Sequence, residues 1–142
     1  MKSEITRTVR SAGIELRCST QLPSTWRGAR RARQLAVEQL RDWEVPCEDA
    51  EQIVAELAAN AVAYGKVPVR DFRLTLTARV GGVLRIEVAD TRGDRLPVVR
   101  EPDEGAESGR GLVIVAALAD RWGVEQGPQP LKTVWAELDG ER

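Results

Sequence analysis

FRLTLTARVGGVLRIEVAD, residues 72–90, contains two runs in which every second residue is apolar. Phe72, Leu74, Leu76, Ala78 and Val80 alternate with Arg73, Thr75, Thr77 and Arg79; after Gly81-Gly82, Leu84, Ile86 and Val88 alternate with Arg85 and Glu87. Successive side chains of a strand point to opposite faces, so each run reads as a strand with one wet face. The glycine pair between them reads as a hairpin turn. The same alternation recurs in Ile14/Leu16/Cys18 against Glu15/Arg17/Ser19, and in Val134/Ala136/Leu138 against Thr133/Trp135/Glu137. A sheet of alternating strands is covered on one side only, whereas doubly wound parallel sheets carry continuous apolar strands. The expected architecture is an α+β two-layer sandwich.

Three helical segments supply the covering layer. In STWRGARRARQLAVEQLRDW, residues 24–43, Ala29, Ala32, Leu35, Ala36, Leu40 and Trp43 fall on one side at 100° per residue, with Ser24 or Thr25 as N-cap. A second helix starts near Pro46 and its following acidic residues and ends at Gly65, with Ile53, Val54, Leu57, Ala58 and Ala61 as its core stripe. The third is expected from Gly111 to about Trp122; apolar nearly all round, it should be the most buried of the three. Residues 91–108, TRGDRLPVVREPDEGAES, lack any period and are rich in Pro, Gly and charge, which predicts a long surface loop of the kind that is either functional or disordered.

Composition narrows the chemistry. The 142 residues fit one domain, and 21 Lys plus Arg against 22 Asp plus Glu give a net charge of −1, with no global pull toward nucleic acid or anionic membrane. The complete lack of histidine excludes Ser/His/Asp triads, His-ligated zinc and a histidine phosphoacceptor in this chain. Two cysteines, Cys18 and Cys47, without a CxxC pair or a signal peptide point to reduced thiols in a cytoplasmic protein. The longest apolar run, Leu112–Ala119, is far short of the roughly 18 residues of a membrane span. The first helix carries five Arg against Glu38 and Asp42, which reads as a solvated or partner-docking face rather than a nucleic-acid surface.

On the second helix, Asn60 lies at the margin of the core stripe and Glu56 one step further out, both on the same groove edge. Asp90 ends a strand, with Gly93 where the chain leaves the sheet, and SGRGL at 108–112 places Gly109 and Gly111 before an apolar helix, where free amides suit phosphate. Singly, each has an ordinary reading: surface polar residues, a turn-forming Asp, a flexible loop exit.

Their order is more specific. ELAANAVAYG, IEVADTRGD, GRGLVIVAALADRWG and KTVWAEL together resemble the GHKL, or Bergerat-fold, ATPase and kinase superfamily with its histidine kinase-like ATPase domain, over about residues 12–138. Within it, the chain resembles the single-domain anti-sigma-factor serine/threonine kinases and their relatives in actinobacteria. The resemblance implies a mixed, mainly antiparallel sheet covered on one face by about three helices, forming a single ATP-binding domain over 1–142 with a core of about 12–138 and an ATP lid of about 91–110. It implies ATP and Mg²⁺ as cofactors: Asn60 as metal ligand, Glu56 as base toward the attacking hydroxyl, and Asp90 as reader of adenine. Gly93 then passes close to the base, Gly109, Arg110, Gly111 and Leu112 cover the phosphates, and Thr133 lies near the adenine side. Two departures stand out: Asp94 and Arg95 follow Gly93 where a second glycine is often found, and Ala59 replaces a frequent hydroxyl residue.

The function so implied is an ATP-dependent serine/threonine protein kinase acting on an anti-sigma-factor antagonist, with a sigma factor as a further partner, a homodimer admitted, and no direct nucleic-acid or membrane partner. The alternative is a nucleotide-gated partner-binding regulator without significant kinase turnover. On this reading Asp90→Asn is expected to weaken ATP far more than it destabilises the fold.

Overall fold

The computed structural model describes residues 3–10, 13–64, 71–79, 82–90, 106–126 and 132–140. The elements run β1 (Ser3–Arg10), β2 (Gly13–Pro23), α1 (Trp26–Asp42), α2 (Glu48–Tyr64), β3 (Asp71–Arg79), β4 (Leu84–Asp90), α3 (Ala106–Leu118), β5 (Arg121–Gln126) and β6 (Lys132–Leu138). The six strands form one open sheet in the order β1-β2-β3-β4-β6-β5. Every pairing among the described residues is antiparallel, so no parallel pair of the expected mixed sheet is found there. The β3–β4 hairpin is present, with Ala78 opposite Leu84 and Leu76 opposite Ile86.

Because opposite residues of an antiparallel pair share a face, the registers sort the sheet into two sides. One side stacks Cys18, Leu76, Ile86 and Ala136 in one row, and Thr20, Leu74, Val88 and Val134 in the next. These residues are buried, and together with Ala32, Ala36 and Leu40 of α1 and Ile53, Val54, Leu57 and Ala58 of α2 they enclose the core. Each fully buried Leu, Ile or Phe here, Phe72 and Leu22 included, contributes about 1.5–3 kcal/mol over its exposed state. The two-layer sandwich and the core stripes of the first two helices are therefore as the periodicity predicts.

Local chemistry fixes the helix ends. Thr25 is the N-cap of α1, its Oγ1 accepting from the Gly28 amide at 3.0 Å. At the other end the amides of Glu44 and Val45 donate to the carbonyls of Arg41 and Leu40, a Schellman closure that places Glu44 at φ 57°. Glu48, Asp49 and Glu51 occupy the first turn of α2, where carboxylates complement the helix dipole.

Two strands and one helix differ from expectation. β1 is an additional strand whose Arg7, on the core-side parity, interrupts the apolar alternation; its Ile5 and Val9 are 63% and 74% exposed because no helix covers this edge. The third helix ends at Leu118 rather than Trp122: the Asp120 amide donates to the Glu137 carbonyl, and Trp122 joins β5. Over its described side chains, from Leu112 to Leu118, it is also not the most buried helix. Packed against α2 and β5, α3 buries Val115 but leaves Val113 68% exposed, since it flanks the layer. The expected lid over 91–110 lies outside the described residues as far as 105, and from Ala106 onward the backbone is helical.

The opposite side of the sheet carries charge. Arg85 pairs with Glu137 at 3.0 Å, Glu125 at 3.4 Å and Glu87 at 3.6 Å, while Arg121 bonds Glu137 at 2.9 Å and also Asp139. Trp135 lies among them; a Cβ on Gly123 would come within 2.9 Å of its ring, so glycine is what lets the indole lie across β5.

Candidate functional site

α2 packs against α1, α3, β4 and β6, so a side chain at its margin stands between the helical layer and the end of the sheet. Asn60 occupies such a margin, is 8% exposed, and its Oδ1 has no hydrogen-bond partner among the described residues. An unpaired buried acceptor costs about 1–3 kcal/mol, which makes Asn60 a candidate ligand-binding residue. Glu56 precedes it by one helical turn, half-buried, and residues four apart on a helix are neighbours on one face.

The donor chemistry of Asn60 fits Mg²⁺. A carboxamide oxygen is a hard neutral ligand, and Mg²⁺ is usually held by one or two protein oxygens with phosphate and water completing its octahedron. Among the described residues no group of three or more Cys, Asp or Glu could hold an ion alone.

The end of the sheet supplies the second part. The parity that turns Leu84, Ile86 and Val88 to the core turns Asp90 the same way, and that of Leu138, Ala136 and Val134 brings Lys132 directly opposite it. Asp90 is 6% and Lys132 4% exposed, with Nζ 3.5 Å from Oδ2. Breaking a buried pair of this kind costs about 3–5 kcal/mol, because the remaining charge stays desolvated.

Thr133 is placed differently from Asp90. It is opposite Ala89, on the face away from the core, so the β6 side chain that accompanies Asp90 is Lys132. The signal was present in the alternation of Val134, Ala136 and Leu138, which extended back by two residues selects Lys132. Gly109, Arg110 and Gly111 lie inside α3 rather than in a turn ahead of it. Ala106 and Glu107 tolerate helix well, so the helix starts earlier and its free amides belong to residues around Ala106. Leu112, half-buried, packs against the core cluster. Gly93 lies outside the described residues.

Elsewhere, a groove of about 410 Å³ between α1 and α2 is lined by Arg30, Arg33, Gln34, Val37, Glu38 and Glu51 and contains none of the site residues. Arg33 bonds Glu51 at 2.8 Å, and Arg31 lies 3.8 Å from Glu38, so part of the α1 charge is locally compensated. Burial pushes the Cys18 thiol up. No helix among the described residues is long and apolar enough to cross a membrane.

A family model described as the histidine kinase-like ATPase domain matches residues 22–137. No protein of curated function matches the chain in sequence. Among solved structures, that of the RsbU and RsbW domains of Rv1364c from Mycobacterium tuberculosis is similar, with a TM-score of 0.62 at 20% identity over 87% of this chain. The chain spans 33% of the length of that protein chain, and at this identity the likeness is one of fold.

Proposed function

The chain belongs to the histidine kinase-like ATPase domain family, and from that membership we propose that it binds ATP with Mg²⁺ as an anti-sigma-factor-type serine/threonine protein kinase. Its substrate would be an anti-sigma-factor antagonist, whose phosphorylation regulates a sigma factor. The observation that carries the reading is Asn60, which shares its helix with Glu56 and whose buried Oδ1 has no hydrogen-bond partner among the described residues.

Bound Mg²⁺ supplies neutralisation of the phosphate charge, the main requirement of phosphoryl transfer. The chain's residues do the rest. Asn60 offers its amide oxygen to the cation, and Asp90 accepts a hydrogen bond from the adenine amino group. Glu56, at the more open edge of α2, takes the proton of the attacking serine or threonine hydroxyl. The likeness in fold to a structure that carries an RsbW domain supports the regulatory assignment.

The test is a transfer assay with labelled ATP, Mg²⁺ and antagonist proteins encoded in the same genome. Label on a serine or threonine of an antagonist is the expected result. ATP binding without transfer to any antagonist would leave nucleotide-gated partner binding as the function, and no ATP binding would sink both.

A further inference from the structure

Asp90 alone reads one atom of a base; it does not stand alone. At the end of the β4–β6 ladder a carboxylate and an ammonium sit side by side on the core-facing side, directly opposite in register and each more than nine-tenths buried. Two rows further in, the same positions are Ile86 and Ala136, and between them Val88 and Val134, so the polar pair terminates an apolar wall. An ammonium carries three N–H donors, more than one carboxylate oxygen at 3.5 Å uses.

Resting on the nucleotide-binding reading above, we propose that Lys132 is a second base-reading residue that donates a hydrogen bond to N1 of adenine while Asp90 accepts from the 6-amino group. The Watson–Crick edge of adenine presents a donor beside an acceptor, and a pocket that reads it needs an acceptor beside a donor. Asp90 and Lys132 are that pair. A buried ion pair contributes little net stability compared with apolar residues of similar size, whereas it fixes the position of both charges for a ligand. The phosphate-side residues Glu56 and Asn60 are on α2, so base reading and phosphate chemistry fall on separate elements.

The contact with N1 can be tested without altering the protein, by comparing ATP with 1-deaza-ATP, which keeps the amino group and lacks the ring nitrogen. Titration of the full chain in the presence of Mg²⁺ should show 1-deaza-ATP binding roughly tenfold or more weakly than ATP, as expected for loss of a charge-assisted hydrogen bond. In Lys132→Met the two nucleotides should bind equally. If Lys132 only props Asp90, the wild-type chain will bind both nucleotides alike, and the proposal falls. It falls also if Lys132→Met retains the wild-type preference. ATP binding without N1 discrimination overturns this inference alone, whereas no ATP binding by the wild-type chain overturns the nucleotide reading with it.

Discussion

The Arg85 guanidinium carbon sits 4.4 Å from the centroid of the Trp135 ring, on the sheet face that the helices leave open. The stack holds Arg85 over β6, where its Nη1 reaches Glu137 at 3.0 Å while Arg121 Nε reaches the same carboxylate at 2.9 Å. The hydrogen bond from Arg121, reinforced by Arg85 and opposed by partial burial, holds the Glu137 carboxyl below its ordinary value of 4.5. A depressed carboxyl stabilises the fold above its unfolded pKa, and that contribution is lost as pH falls through the lower folded value. Thermal melts of the wild-type chain should therefore lose stability below about pH 4.5 more steeply than those of Glu137→Gln. Equal acid slopes would show that this network contributes nothing.

Asp90→Asn is now expected to do more than remove a base contact. It leaves the Lys132 ammonium buried without its carboxylate, and should cost about 3 kcal/mol in denaturant titrations. Adding Lys132→Met should recover most of that loss while ATP affinity stays low. A folded Asp90→Asn/Lys132→Met protein with wild-type ATP affinity would refute the assignment of Asp90 to adenine.

Glu56 and Asn60 should separate cleanly. Asn60→Ala removes an acceptor that has no partner among the described residues, so the free protein should keep its melting temperature or gain stability of up to about 1 kcal/mol, while Mg²⁺-dependent nucleotide binding is lost. Glu56→Ala should leave ATP affinity intact and lower phosphoryl transfer by roughly 10²-fold. Transfer at the wild-type rate in Glu56→Ala would exclude it as the base.

Gly28 is in a helix, where alanine ordinarily stabilises by up to about 1 kcal/mol. Here a Cβ would lie 2.0 Å from the Pro23 carbonyl oxygen. Backbone cannot yield as a flexible side chain does, so Gly28→Ala should destabilise by about 2 kcal/mol or more, read from the denaturant midpoint.

Glu44 offers the opposite case. Its left-handed φ of 57° closes the Schellman motif of α1, a conformation that costs a side-chain-bearing residue about 1 kcal/mol. Glu44→Gly should raise stability by about 0.5–1 kcal/mol with no change in nucleotide binding. A loss of stability would mean that the Glu44 side chain makes contributions larger than the backbone term.

Much of the core was legible because period two is a local property. Leu74, Leu76, Ile86, Val88, Val134 and Ala136 each declare their face from neighbours two residues away, and all are buried as read. Ile53, Leu57 and Ala61 do the same at helical spacing. β1 was hidden because Arg7 stands on the same parity as Ile5 and Val9, and at an uncovered sheet edge nothing selects against charge. β5 was absorbed into the third helix because Trp122 continues the helical spacing of a preceding apolar run, and only its pairing with β6 marks it as a strand. The likeness in motif order singles out Asn60 and Asp90 as candidates, whereas Lys132 as partner of Asp90 follows from a register between strands that are not consecutive in the chain.

The β4–β6 register also ties the two faces of the sheet to one parity. With β6 in place, Lys132 meets Asp90 on one side of the ladder while Glu137 meets Arg85 on the other. An odd slip would set Thr133 against Asp90 and drive Trp135 and Glu137 toward the apolar layer, exchanging the two faces at once. Substitutions along β6 can each be judged one side chain at a time. Single-residue insertions or deletions within it instead alter the proposed base-reading pair and the surface ion network together, so this strand should be far less tolerant of changes in length than of changes in residue.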